Sequence, residues 1–271
     1  MGLAIETIKD MFNFVFKYPK SFLFGFIITI LIFLGVLTMV GGVLVYLGSN
    51  FRSVIQSSSF LGISTFFLMN VPRTIGAVFL IIGLIIIFIA GLIRSGGFPI
   101  LVYRGLRRRD LDIVSVFQIT LKKLFKIFIT TLIFGIIILL PILPVFIFVF
   151  AIHGLNFFET QFIVIPIFVI IFIVIAVFLG IKFWFIFPIL MLENKNPMES
   201  LKLSWQRTKG YVLSILAVLI LYAVIVGLPL GILDMFFKRT GNIYLIWSLI
   251  EGIITTTLSG ILPTIYYLKK K

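Results

Sequence analysis

The chain has no cysteine. That excludes disulfide bonds, thiolate nucleophiles and cysteine metal ligands, and it leaves no redox clue to the compartment. Histidine occurs once, as His153, in a short loop with no acid beside it in sequence. Only nine residues are acidic, and they form no cluster with histidine at metal-ligand spacing. No glycine-rich loop follows a strand and opens a helix, so a phosphate cradle of the nucleotide-binding kind is not indicated. These absences leave no catalytic constellation. They predict a non-enzymatic protein with no metal and no cofactor.

Charge of either sign is scarce. Charged residues make up 12% of the chain, against about 25% in soluble domains. What fills the space is apolar: 61% hydrophobic residues, 32 of them phenylalanine, and a mean hydropathy of +1.27. A hydrocarbon layer about 30 Å thick needs about 20 apolar residues per helix. Six segments reach that length, near 22–47, 74–94, 127–150, 162–187, 211–233 and 243–266. None alternates every second residue as a membrane strand would, so helices are predicted. The first apolar run is too long for a signal-peptide core and lacks a small-x-small site after it. It is expected to be retained as a span. No lipidation motif is visible.

The charge that is present is lopsided. The net charge is +14, from 23 basic residues. With six spans, Arg52, Arg73, Lys238 and Arg239 fall on one side and the other nineteen fall on the opposite side. Short loops rich in Lys and Arg face the cytoplasm. Both termini are therefore expected there, in a multi-pass protein of the cell membrane. The same distribution speaks against a nucleic-acid partner, because the basic residues sit at helix ends.

The reading is thus an all-α polytopic membrane protein over 1–271, with six spans in three hairpins. Phe98-Pro99-Ile100-Leu101 recurs as Phe187-Pro188-Ile189-Leu190, and Leu140-Pro141 is echoed by Leu228-Pro229. Matching order suggests three units, roughly 1–94, 98–187 and 187–271. Each opens with an amphipathic helix on the cytoplasmic side. In the first, Ile5, Ile8, Phe12, Val15 and Phe16 share a face, opposite Glu6, Lys9, Asp10, Asn13 and Lys17. In the second, about 110–123, the face is Ile113, Val116, Phe117 and Leu124. In the third it is Met198, Leu201 and Trp205. This last helix carries its own boundaries: Asn196 as N-cap, Pro197 at the first position, Glu199 for a capping box, and Gly210 for a left-handed end. The external loop 48–73 contains apolar stretches and is expected to lie in the interface up to Pro72.

Four groups of residues are candidates for a role. Glu251 lies within the last span and shares a helix face with Ser248, Thr255 and Ser259. Two readings stay open: a small-residue and hydroxyl packing stripe, or a proton- or cation-coupled site of a transporter. Arg104, Arg107, Arg108, Arg109, Lys122, Lys123 and Lys126 form a dense basic cluster. It sets topology and is a candidate contact for anionic lipid headgroups. Small residues at Gly76, Gly83 and Gly91, and at Ala223, Gly227 and Gly231, predict close helix packing. Pro141 and Pro144 are expected to kink or end the third span, and Lys182 to snorkel from the end of the fourth.

The fourth group is the polar island itself: Pro188, Glu193, then Pro197-Met198-Glu199-Ser200-Leu201-Lys202-Leu203-Ser204-Trp205-Gln206-Arg207-Thr208-Lys209-Gly210. It resembles the signature of the membrane domain of glycerophosphoryl diester phosphodiesterases and of related YciC-like multi-pass families. Ser200 stands where those families carry alanine. The resemblance implies the same six-span layout. It implies no phosphodiesterase activity, since the chain shows neither the soluble barrel nor the His and acid motifs of that activity. Pro197, Ser204, Trp205, Thr208 and Gly210 are then anchors to the bundle and the headgroup region. The functional expectation is a lipid-interacting or scaffolding protein, with a small-molecule or ion transporter using Glu251 as the rival.

Overall fold

A computed structural model describes residues 2–47, 73–108, 111–141, 164–238 and 242–271. All regular structure among the described residues is helical. The elements are α1 (Gly2–Lys17), α2 (Lys20–Leu47), α3 (Arg73–Arg108), α4 (Ile113–Lys122), α5 (Leu124–Leu139), α6 (Val164–Lys182), α7 (Ile186–Leu192), α8 (Pro197–Arg207), α9 (Val212–Tyr222), a π-helical turn (Ala223–Gly227), α10 (Leu228–Phe237) and α11 (Asn242–Lys270).

Five stretches are long and apolar enough to cross a membrane: Lys20–Val43, Ile75–Arg107, Val169–Leu192, Val212–Phe237 and Ile243–Lys270. The expected third span is represented by α5, 16 residues long, which stops just before Pro141. Pro144, His153 and the rest of that span lie outside the described residues, as does the 48–72 loop.

The second expected span does not end near residue 94. It runs on as one helix through Phe98 and Pro99 to Arg108. Proline removes one backbone donor. Here Phe98, Pro99, Ile100 and Leu101 are all buried, and packing holds the helix across the gap. The second copy of the tetrapeptide is also mostly buried, but it sits in the short α7, which packs against α3. One motif therefore occupies two local structures.

Buried residues concentrate at the end of the bundle where the basic residues lie. Phe24, Phe98, Ile127, Phe185, Ile189, Ile215 and Tyr266 form one core with the inner face of α1. Phe24 meets Phe98 edge-on at 5.0 Å between ring centroids, and Phe185 stacks on Tyr266 at 5.8 Å. The opposite halves of the long helices expose Leu34, Leu37, Ile82, Ile85, Ile170, Val174 and Ile246. A broad apolar belt of this kind is what lipid covers.

Two of the three predicted faces are rotated. On α1 the buried residues are Ala4, Thr7, Ile8, Met11, Phe14 and Val15, while Phe16 is 78% exposed and Ile5 is also exposed. The helix packs on α9 and α11, and those contacts select the face. On α8 the buried set is Ser200, Leu201 and Ser204, with Thr208 buried just past its end, and Met198 is 66% exposed. In α4, Val116 is buried as expected, with Thr120 beside it.

The glycine predictions divide. A Cβ on Gly83 would lie 2.5 Å from the Gly35 oxygen, and one on Gly42 would lie 2.7 Å from the Gly76 oxygen. Gly35 and Gly42, like Gly76 and Gly83, are one heptad apart, so they form a seam along which α2 and α3 touch backbone to backbone. A Cβ at Gly91, Gly227 or Gly231 would meet nothing within 4 Å. The Ala223-to-Gly231 run is thus not a packing face among the described residues. It passes through the π-helical turn, which shifts the register that the spacing assumed.

Candidate functional site

The polar island folds around a break in a membrane-length segment. Helix α6 ends at Lys182, residues 183–185 turn, and α7 begins at Ile186. Backbone groups freed at such a break need partners, because lipid supplies none. Ser204 supplies them: its Oγ accepts from the Phe185 N–H at 3.2 Å and donates to the Lys182 carbonyl at 3.0 Å. Thr208 Oγ1 lies 3.1 Å from the same carbonyl and 2.9 Å from that of Ser204. Both hydroxyls are fully buried. Ser204→Ala is expected to cost roughly 1–3 kcal/mol by leaving the Phe185 N–H unpaired. A lowered thermal midpoint in mild detergent checks it, and no shift would remove the clamp.

Trp205 covers the break from outside. Its ring lies 5.5 Å from Phe183 and 6.1 Å from Phe178, and Lys182 Nζ sits 5.1 Å above it. Lys182 is only 9% exposed. It does not snorkel away from the protein; it folds onto the aromatic rings, where cation–π attraction replaces part of its hydration. Pro197 opens α8 as expected, and Asn196 stands at the N-cap position. The capping box does not form: the Asn196 side chain makes no cap bond, and Glu199 is 4.0 Å from Lys195. Gly210 has a φ of +87°, the left-handed end that its position predicted.

Glu193 is the residue that the sequence undervalued. It caps the end of α7, followed by Asn194 in the left-handed region with φ +54°. Arg207 at the end of α8 grips it with two nitrogens, at 2.8 and 3.1 Å. Tyr267 of α11 donates to it at 2.5 Å, and Lys271 Nζ lies 3.0 Å away. Arg207 also donates to the Tyr267 hydroxyl. The Glu193 side chain is 11% exposed. The Arg207 bond, more than anything else, holds its carboxyl down at about 2, with Tyr267 and Lys271 helping against the opposing effect of burial. In return Glu193 raises the Arg207 guanidinium above its usual value. The ends of α7 and α8 are thereby tied at one point to the end of α11, distant in sequence.

Beside this knot is a cavity of about 370 Å³, between the end of α8, the start of α9 and the end of α11. Four cations line it: Arg207, Lys209, Lys270 and Lys271, together with Phe185, Gln206, Tyr211 and Tyr267. Lys270 Nζ stands 4.3 Å above the Tyr211 ring. Neither Lys209 nor Lys270 has a carboxylate partner among the described residues. In a second cavity of about 470 Å³ between α1 and α11, Lys269 pairs with Asp10 at 2.8 Å and with Glu6 at 3.5 Å, and Lys17 also lines it.

The described members of the predicted basic cluster turn to different partners. Arg104 turns inward to Ser115, and Arg107 lies over the Tyr103 ring at 5.0 Å. Lys123 reaches the Met191 carbonyl at 3.4 Å, and burial, with Lys126 nearby, lowers its pKa. Lys122 is exposed and Lys126 is half-buried. Arg109 and the Arg108 side chain lie outside the described residues.

Glu251 is half-buried on α11, and its carboxylate makes no ion pair among the described residues. Ser248 and Thr255 turn their hydroxyls onto their own helix, to the Leu245 and Glu251 carbonyls at 2.9 and 2.8 Å. Ser259, on the same face, accepts from Arg94 of α3 at 2.6 Å. Arg94 is one of the nineteen basic residues that the sequence assigns to the cytoplasmic side. It sits 14 residues before the end of α3, or about 21 Å along the helix. Among the described residues, no group of three or more His, Cys, Asp or Glu could hold a metal ion.

Comparison of the chain with protein-family models, with curated proteins and with solved structures finds no match.

Proposed function

We propose that this chain is a non-enzymatic, multi-pass protein of the cell membrane whose cytoplasmic face engages anionic lipid headgroups and through them organises its surroundings. In this reading six spans form three hairpins, each preceded by an interfacial helix, and both termini are cytoplasmic. One observation carries it. At the basic end of the bundle Glu6, Asp10, Glu193 and Glu199 are taken by the chain's own cations and Asp112 caps α4, yet Lys209 and Lys270 remain without an acid where two membrane-length helices terminate. Cations at that level attract anionic lipid, at about 1 kcal/mol each. The resemblance of the Pro197-to-Gly210 stretch to the phosphodiesterase membrane domains and YciC-like families is compatible with this role and adds no activity.

The test uses the protein's own tryptophans. Trp205 and Trp184 lie at this end of the bundle. In reconstituted vesicles, brominated phosphatidylglycerol is expected to quench them more than brominated phosphatidylcholine does, and added salt should shrink the difference. Equal quenching by the two lipids would remove the proposal.

The Arg94–Ser259 contact supports a second reading, solute transport along the polar face of α11 with Glu251 as the coupling residue. An arginine at this depth, with no carboxylate beside it among the described residues, is costly unless it serves a purpose. Glu251→Gln should then abolish proton- or cation-driven uptake into vesicles. Uptake at the wild-type rate would exclude that role.

A further inference from the structure

We infer that the cavity bounded by Arg207, Lys209, Tyr211, Lys270 and Lys271 is a subsite for a phosphate monoester, the group carried by a phosphatidate-type lipid and shared with free phosphate. The inference rests on the headgroup reading above and makes it specific.

Glu193 is the acid that faces this cluster, and four bonds already occupy its two oxygens: two from Arg207, one from Tyr267 and one from Lys271. It holds Arg207 and Lys271 in place, but it is not free to neutralise anything else. Arg207 has five N–H groups. Three are committed, two to Glu193 and one to the Tyr267 hydroxyl, which leaves two. The ammonium groups of Lys209 and Lys270 have no acid at all among the described residues. The cavity therefore offers an excess of N–H donors, and its four cations against the single Glu193 carboxylate leave a net side-chain charge of +3.

A monoester matches that excess better than a diester does. It presents three terminal oxygens and a charge of about −1.5 to −2 at neutral pH. A diester headgroup such as phosphatidylglycerol presents two free oxygens and one charge. Against a net side-chain charge of +3 and the two remaining Arg207 N–H groups, the first leaves less charge uncompensated and uses more of the donors than the second.

Position points to a lipid. The apolar stretch Val212–Phe237 begins, and Ile243–Lys270 ends, at the cavity rim, so the charges stand at the level where headgroups begin. Phe185 and Tyr211 give the cavity aromatic walls beside those charges. At about 370 Å³, it falls within the range of ligand pockets, roughly 300–1,000 Å³, and it has room for a headgroup.

The experiment is native mass spectrometry of the full chain in neutral detergent, titrated with short-chain phosphatidate or phosphatidylglycerol, with and without inorganic phosphate. Phosphatidate is expected to bind about tenfold more tightly. The double variant Lys209→Gln/Lys270→Gln should lose that preference and keep the weaker phosphatidylglycerol binding. Lys122→Gln/Lys126→Gln, outside the cavity, should keep the preference. Both lysines in the cavity variant are exposed, so the variant is expected to fold. If inorganic phosphate displaces phosphatidate at comparable concentration, the site takes the free anion. If it does not, the site takes the lipid. Equal affinity for the two lipids, or a preference that survives the cavity variant, overturns the inference and leaves general anionic-lipid binding intact. Binding of neither lipid would instead overturn the headgroup reading itself.

Discussion

Gly83→Leu should separate α2 from α3 and destabilise the protein by roughly 3 kcal/mol or more, beyond ordinary overpacking of about 1–3 kcal/mol. The reason is the nature of the obstacle. Even a Cβ at this position would stand 2.5 Å from the Gly35 oxygen and 2.6 Å from the Met39 nitrogen. These are backbone atoms in a helix, and they cannot swing aside as the end of a side chain can. Only a shift of one whole helix makes room, and that shift opens the Gly42–Gly76 contact further along the same seam. Gly91→Leu is the matched control. It lies on the same stretch of α3, a Cβ there meets nothing within 4 Å, and its cost should stay within about 0.5 kcal/mol. Unfolding in mild detergent, followed by tryptophan fluorescence and by loss of the monodisperse species, separates the two. Equal midpoints for the Gly83 and Gly91 variants would show that the seam does not set the helix spacing.

Glu193→Ala should cost roughly 3 kcal/mol, the lower end of the range for removing one partner of a buried charged pair, since Arg207 and Lys271 keep partial access to solvent. It should also change how stability depends on pH. In the folded protein the Glu193 carboxyl is held at about 2, against an ordinary 4.5. The unfolded chain therefore takes up the proton first as acid is added. The stabilisation from Glu193 is complete above about 4.5 and is lost as the pH falls towards 2. Wild-type protein should lose thermal stability steeply across that window, and the alanine variant should lose markedly less. An identical acid limb in both proteins would show that the knot contributes nothing to folding. Because Lys271 and Tyr267 lose their acceptor together, the variant should also loosen the end of α11, which faster proteolysis near Lys269–Lys271 would reveal.

Both residues stand in plain view in the sequence, yet only one drew a correct expectation. Gly83 was legible as part of a small face because glycine spacing in an apolar run is a local signal. Its true partners, Gly35 and Gly42, were not, and Gly91, Gly227 and Gly231 carried the same signal with no contact behind it. Glu193 appeared as an acid within a motif. Nothing local says that Tyr267, 74 residues later, would complete its shell. Ser204 and Thr208 were legible as anchors. Their use as substitutes for the missing hydrogen bonds of a broken helix needed the break, which the continuous apolar run from 162 to 187 hides.

Several features were fixed before any tertiary contact formed. Runs of some 20 apolar residues cannot be hidden inside a chain of this size, and lipid allows them little besides helix, so the helical, membrane-embedded character follows from composition and length alone. The left-handed backbone at Gly210 follows equally from local chemistry, because glycine after a helix end adopts it without steric cost. Tertiary structure alone decided which face of α1 and α8 is buried, which glycines touch, where Arg94 lies, and which cations the cavity beside Glu193 gathers. Each of these depends on the neighbour that arrives. In a chain apolar on nearly every face, hydrophobicity cannot choose the neighbour; close packing and the pairing of a few charges choose it.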